Sequence, residues 1–251
     1  MSGGRADAAG ASEPARPLEL SVVVPVYDEA PGIASLLRAW LTELGRLGVA
    51  HEVLVYDDGS CDGSAAAVEA VAAEHPQVVL SRHANRGHGP TILRGYREAR
   101  GRWVAQVDGD GEVPPSQFGS LWELRDGVDI VIGCRKGRRS AGDRKIVSAV
   151  SRLAVRALFG RGIHDVNSPF RLYRGERLRD LLAALPPGDL FAPNVALAGL
   201  ALRQRLRIAE IPVTFVSRRW GRPSLGSWKL WPAAARALRE TVTVARARPP
   251  V

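Results

Sequence analysis

The chain has 251 residues, 45% of them hydrophobic and 24% charged, which is enough for one large buried core and excludes a wholly disordered protein. Lys and Arg number 35 against 26 Asp and Glu, and the net charge of +9 favours an anionic partner: phosphates, nucleic acid or an anionic membrane surface. The two cysteines, Cys61 and Cys134, lie outside any CxxC pair, so they build no zinc knuckle or redox motif and fit a reducing cytoplasm better than a disulfide framework.

In chain order, residues 1–18 (MSGGRADAAGASEPARPL) are rich in Gly, Ala, Ser and Pro and lack an apolar signal core, so a disordered leader is expected. Residues 20–26 (LSVVVPV) form a near-continuous β-branched run, as in a strand buried on both faces. Ile33, Leu36, Leu37, Trp40, Leu41, Leu44 and Leu47 then recur on one face of a helix, with Pro31 in its first turn. A second strand is read at 52–57 (EVLVYD), an Ala-rich helix at 65–73 and a third strand at 77–81 (QVVLS). A helix at 91–100, a strand at 103–108 (WVAQVD), a helix at 118–125 and a strand at 129–133 (DIVIG) follow. This alternation predicts a mainly parallel sheet flanked by helices, with polar loops at the carboxyl ends of the strands, where open α/β sheets bind their ligands.

The second half is read differently. Residues 135–145 (RKGRRSAGDRK) hold six basic residues and one acid. A helix is expected at 145–159, a loop leading into a strand over HDVNSPFRLYR, and helices at 176–185 and 192–204. Residues 206–216 (LRIAEIPVTFV) read as a strand pair or one bent strand. Residues 228–251 read as a basic amphipathic helix and tail started by Pro232, leaving 19–227 as the main domain. No stretch reaches the roughly 18 apolar residues of a spanning helix.

Five segments could carry chemistry. Asp108, Asp110 and Glu112 alternate with Gly109 and Gly111 after a predicted strand. On extended backbone, side chains two apart point the same way, so these acids would converge on one hard cation, Mg²⁺ or Mn²⁺, which prefers oxygen ligands and bridges to substrate phosphates. Asp57-Asp58-Gly59-Ser60 follows another strand, and a carboxylate there can accept from a nucleobase N–H or a ribose hydroxyl. Asn85-Arg86-Gly87-His88-Gly89 offers glycines that let backbone approach an anion, without a Walker loop or a GxGxxG fingerprint. Asp165-Val166-Asn167-Ser168-Pro169-Phe170-Arg171 gathers an acid, an amide, a hydroxyl and an arginine. Arg135, Lys136, Arg138 and Arg139, then Arg218, Arg219 and Arg222, present forks that match phosphate oxygens. Taken singly, each segment is equally readable as a turn, a helix cap or a solvated face.

Read together, SVVVPVYDEAPGI, VYDDGSCDGS, NRGHGPTILRGYREARG, VDGDGEVPP, DVNSPFRLYR and EIPVTFVSRRWGRPS resemble glycosyltransferase family 2 over residues 19–227, nearest to the polyprenyl- and dolichyl-phosphate mannose synthase group. The resemblance implies a GT-A fold and metal-dependent, inverting transfer of a sugar from a GDP- or UDP-sugar donor, with polyprenyl phosphate as the acceptor. A soluble small-molecule or glycan acceptor is the alternative within the same fold. The resemblance puts Pro25, Tyr27, Glu29, Asp58, Asn85, Gly87 and Asp108 on the nucleotide-sugar, and Asp108, Asp110 and Glu112 around the metal. It puts Arg135, Asp165 and Arg171 at the reacting centre, with Asp165 as the base if the acceptor is a hydroxyl, and Ser168 and Arg218 on the acceptor. His88, Pro90 and Pro169 depart from the usual Lys, Ala and Gly of the family. A cytoplasmic enzyme is the expected setting, and its C-terminal helix is read in two ways: as closing the domain's own core, or as a peripheral contact with the inner face of the membrane through Trp228, Leu230, Trp231 and Leu238 beside Lys229, Arg236 and Arg239. A nucleic-acid-binding protein is disfavoured, because aromatic residues are only 6% and no stacking platform or recognition helix is evident.

Overall fold

A computed structural model of the chain describes residues 17–135, 142–216 and 230–247. Its centre is a seven-stranded sheet in the order β3-β2-β1-β4-β6-β5-β7. The strands are β1 (Leu20–Val26), β2 (His51–Asp57), β3 (Val78–Arg82), β4 (Trp103–Gln106), β5 (Ile130–Arg135), β6 (Arg171–Arg174) and β7 (Ile208–Val213). All pairs are parallel except those of β6, which runs antiparallel to both β4 and β5. Residues 206–216 therefore contribute one strand rather than a pair, laid on the outer edge of β5.

Eight α-helices cover the sheet among the described residues: α1 (Ile33–Leu47), α2 (Ser64–Glu74), α3 (His88–Glu98), α4 (Phe118–Glu123), α5 (Gly142–Phe159), α6 (Gly175–Ala183), α7 (Pro193–Arg203) and α8 (Leu230–Arg246). The pleat divides the strand residues between two cores. Val22, Val24, Val53, Val55, Ala105, Val131 and Leu172 face α1, α2 and α4, where Trp40, Phe118 and Phe170 interlock with ring centroids 5.3–6.3 Å apart. Val23, Leu54, Tyr56, Val104, Ile130, Ile132 and Tyr173 face the opposite way, onto α3, α5, α6, α7 and α8. Because both faces are covered, the central strands read as unbroken apolar runs.

α3 begins at His88, three residues before the expected start, with Pro90 in its first turn, where a missing N–H is harmless. It lies very close to the sheet. A Cβ at Gly95 would stand 2.3 Å from Val23 Cγ1 and 2.9 Å from Tyr56 Cε2. The C-terminal helix is part of the same core, for its Ala237, Thr241 and Val244 are buried against α5 and α7.

Gly95→Ala is expected to destabilise the fold by about 1–3 kcal/mol in urea unfolding, although Ala is the better helix former, because the added methyl overpacks the α3–sheet contact. Unchanged or raised stability would mean that the contact relaxes freely.

Candidate active site

The strand order turns round between β1 and β4: β2 and β3 build outward on one side of β1, and β4 lies on the other. The crevice at such a switch point is where open α/β sheets bind ligands. The loops after β1 and β4 flank it, and they approach closely, since a Cβ at Gly109 would lie 2.9 Å from the Pro25 carbonyl oxygen.

On the β1 side the chain is pinned by a polar ladder to the loop after β2. Asp28 N–H donates to Ser60 Oγ at 3.0 Å, Glu29 N–H to Ser64 Oγ at 2.8 Å, Ala30 N–H to Asp62 Oδ2 at 3.0 Å, and Cys61 N–H to Asp28 Oδ1 at 3.0 Å. This fixes Pro25 inside β1, leaves Tyr27 45% exposed beside the crevice and buries Glu29. Asp58, also buried, accepts from Arg86 N–H at 2.7 Å and Gly87 N–H at 3.0 Å. Both its oxygens thus hold the loop before α3, which packs Asn85 against Gly59 of the loop after β2. Arg86 in turn reaches Asp189 at 2.6 Å, closing that side with the loop before α7.

The acidic segment departs from expectation. β4 ends at Gln106, two residues early, and Gly109 and Asp110 form a turn with Gly111 at φ +67°. Period-two geometry therefore does not apply. Glu112 N–H bonds back to Asp110 Oδ1 at 3.0 Å, and the far end is anchored where Val216 N–H donates to the Glu112 carbonyl at 2.9 Å. The turn nonetheless gathers the three acids: Asp108, Asp110 and Glu112 line one small pocket with Val107, Val113, Pro169, Phe170 and Phe215. No trio of His, Cys, Asp or Glu side chains among the described residues is close enough to enclose a cation unaided. Burial above all, then Asp110 and Glu112, push the Asp108 carboxyl up to about 6, against the pull of His88 and Arg135. His88 Nε2 stands 3.6 Å from Asp108 Oδ1.

Arg135, at the tip of β5, connects this pocket to the 165–171 loop. Its Nε donates to Asp165 Oδ2 at 2.6 Å, its second terminal nitrogen to Oδ1 at 2.7 Å, and its backbone N–H to Oδ2 at 3.2 Å. Burial would raise the Asp165 carboxyl, but the Arg135 guanidinium outweighs it and holds the group below the usual carboxylate range. Asp165 is thereby a weaker proton acceptor than a free carboxylate. Ser168 and Arg171 are placed away from the open crevice. Ser168 is fully buried, with its hydroxyl on the Gly133 carbonyl. Arg171 is 1% exposed, and its guanidinium donates to the carbonyls of Ser168, Val166, Asp165 and Asn194 and to the Tyr173 hydroxyl. It holds the loop and does not face the crevice. Arg218, with Lys136, Arg138, Arg139, Arg219, Arg222, Trp228 and Lys229, lies outside the described residues.

Several residues with a part in the site receive no role of their own from the sequence pattern. Asp28, Ser60, Asp62 and Ser64 make the ladder, and Glu210 secures the Asp165 loop by accepting from His164 N–H at 2.9 Å and Asp165 N–H at 3.0 Å. Gln106, the one polar residue of WVAQ, and Asn194, beside the helix-opening Pro193, stand under Asp108. A polar residue inside a buried run was the available signal for both.

A mostly parallel sheet whose strand tips bring acids and an arginine to the switch point defines a GT-A fold. Solved structures similar to the chain share it. Glucosyl-3-phosphoglycerate synthase from Mycobacterium tuberculosis in complex with phosphoglyceric acid aligns with a TM-score of 0.68 and 18% identity, over 92% of this chain and 81% of that one. The mannosyltransferase PcManGT from Pyrobaculum calidifontis in complex with GDP-Man and Mn²⁺ aligns with a TM-score of 0.63 and 22% identity, over 96% and 68%. The family model for glycosyl transferase family 2 matches residues 21–182, and the chain belongs to that family. Among curated relatives, undecaprenyl-phosphate 4-deoxy-4-formamido-L-arabinose transferase from Pseudomonas paraeruginosa (strain DSM 24068 / PA7) is 35% identical over 66% of this chain and 50% of its own length. The enzyme of the same name from Salmonella paratyphi B (strain ATCC BAA-1250 / SPB7) is 31% identical over 81% of this chain and 61% of its own. The chain thus spans half to three-fifths of the length of these relatives.

A carboxyl raised by folding stays protonated where the unfolded chain has already ionised, so its contribution to stability is complete at low pH and is lost as pH rises through about 6. Asp108→Asn, neutral throughout, is expected to melt above the parent near neutral pH in chelator, with the gap closing as pH falls towards about 4. Calorimetric melts across that range check it, and a gap independent of pH would refute the assignment.

Proposed function

We propose that the chain transfers a sugar from a nucleotide-diphosphate donor to a lipid phosphate, polyprenyl phosphate, with inversion. The observation that carries this reading is the contrast between the two acids of the crevice. Asp108 is held high by burial beside Asp110 and Glu112 despite His88 and Arg135, and Asp165 is held low on Arg135. The first is what a cation-bound diphosphate requires. The second suits an acceptor that is already an anion and needs no proton removed, whereas a hydroxyl acceptor would require a base. The relatives named for undecaprenyl-phosphate transfer support the same acceptor class.

In this reading Pro25, Tyr27 and Glu29 after β1, Asp58 with the Asn85–Gly87 backbone, and Asp108 receive the nucleotide. Mg²⁺ or Mn²⁺ takes only one or two protein carboxylates when it bridges substrate phosphates, so the open acidic turn fits such an ion. One or two of Asp108, Asp110 and Glu112 would hold it, and when bound it would neutralise the charge of the leaving diphosphate. Arg135, kept in orientation by Asp165, faces the acceptor phosphate, and Arg218 is proposed to join it. The hydrophobic Phe215, Phe170 and Val113 exclude water beside the acids.

Asp108→Ala and Asp110→Ala are expected to abolish transfer with the fold intact by circular dichroism. Mass spectrometry of products from polyprenyl phosphate, set against a panel of soluble sugars and alcohols, tests the acceptor, and products from the soluble panel alone would overturn it. Thermal shifts with GDP-, UDP- and dTDP-sugars in Mn²⁺ or Mg²⁺ name the donor. Full turnover of a folded Asp108→Ala/Asp110→Ala variant in chelator would remove the metal role.

We further place the protein on the inner membrane face. Trp231 is 58% exposed and Leu238 40%, with Arg236 and Arg239 on the same helix, and Leu153 on neighbouring α5 is 66% exposed. Apolar side chains rimmed by arginines suit an anionic interface. The protein is expected to float with vesicles containing anionic lipid and to remain in the pellet fraction with neutral ones, and equal recovery with both would argue against this contact.

A further inference from the structure

Gln106 is a polar residue at the end of a central strand, and it is fully buried. A buried amide is tolerated only when its donors and acceptor are satisfied, and here the partners are side chains. Gln106 Oε1 accepts from the Tyr96 hydroxyl at 2.7 Å and from Asn194 Nδ2 at 2.8 Å. With the oxygen doubly engaged, the amide plane is set, and Nε2 points at Asp108 Oδ1 at a long 3.4 Å. Tyr96 is suited to the donor role: burial, foremost, keeps its hydroxyl protonated far above the ordinary range, and its ring stacks edge-on against Tyr173 at 5.6 Å.

The cluster continues past Gln106. The Asn194 carbonyl accepts from Arg171 at 3.3 Å, and Arg171 holds the carbonyls of the loop that carries Asp165. A continuous buried polar path therefore runs from the donor-side acid, through β4, α3 and α7, to the acceptor-side loop. We propose that Gln106 is a positioning residue: clamped by Tyr96 and Asn194, its amide orients the Asp108 carboxylate and fixes it in register with the Asp165 loop. This rests on the reading of Asp108 as a donor-side ligand.

The test is calorimetric binding of UDP and of GDP, each with Mn²⁺, to the full chain and its variants, without turnover. Gln106→Leu is expected to weaken the nucleotide that the parent binds by about tenfold, as loss of an orienting partner does. Asn194→Ala leaves β4 untouched and removes one of the two partners of the clamp, and it is expected to weaken binding by about threefold. It decides the matter if Gln106→Leu does not fold. In an Asp108→Asn background, Gln106→Leu should add nothing, because the amide acts through that carboxylate. Folded variants that bind within twofold of the parent, or a Gln106→Leu effect that persists in full beside Asp108→Asn, would overturn the proposal and leave Asp108 itself in place. If Asp108→Asn alone binds as the parent does, or the parent binds neither nucleotide with Mn²⁺, the donor-site reading fails and the proposal with it.

Discussion

The arrangement of the 165–171 loop depends on one buried cation. A guanidinium that is 1% exposed must find acceptors inside the protein, and Arg171 finds four carbonyls and a hydroxyl in place of a carboxylate. Three of the carbonyls belong to Asp165, Val166 and Ser168, so the loop is wrapped round the head group and cannot shift alone. The fourth belongs to Asn194, which fastens the same group to α7. Arg171 begins β6, the strand that runs antiparallel between β4 and β5, so the fork is delivered by the sheet itself. Asp165 reaches Arg135 with two-point geometry because its backbone has already been fixed from behind.

That fixed backbone lets two nearby carboxyls take opposite characters. Asp165 has a guanidinium on both oxygens and is stabilised as the anion. Asp108 is partly buried beside Asp110 and Glu112, and its anion is disfavoured in spite of His88 and Arg135. Environments that drive titratable groups apart mark a division of labour. Arg135 acts on both: it bonds to Asp165 and is raised further by the charges of Asp108 and Glu112. One arginine thus lies between the acidic pocket and the 165–171 loop, and attraction to the acids on both sides keeps it from swinging away from either.

Much of this was legible in the sequence. The valine runs of β1 and β2 and the helical spacing from Ile33 to Leu47 specify their elements by burial alone, and each is found where the pattern puts it. The clustering of Asp108, Asp110 and Glu112 was legible too, but for another reason than strand period: Gly109 and Gly111 make a turn, and the turn does the gathering. The roles of Ser168 and Arg171 were not legible. A motif position says that a residue matters and does not say which way its side chain faces, and only the fold reveals that the Gly133 and Asn194 carbonyls lie behind them. The direction of β6 was hidden for a similar reason, since four residues carry no signal of their own polarity in the sheet.

The C-terminal helix, whose pattern fits either core closure or a membrane contact, shows the same limit at larger scale. An amphipathic pattern records that one face is apolar and does not record what meets it. In the folded chain Val244, Thr241 and Ala237 of α8 meet α5 and α7, and Glu240 accepts from the N–H groups of Phe191 and Ala192. Those two residues belong to the loop whose Asp189 pairs with Arg86, and the Leu190 and Phe191 carbonyls press against Gly89 so closely that a Cβ there would lie 2.1 Å and 2.6 Å from them. Arg86 and Gly87 are the residues whose N–H groups hold Asp58. The last helix of the chain is thus two contacts away from the loop that binds Asp58, and it belongs to the packing of the crevice as fully as the strands that open the sequence.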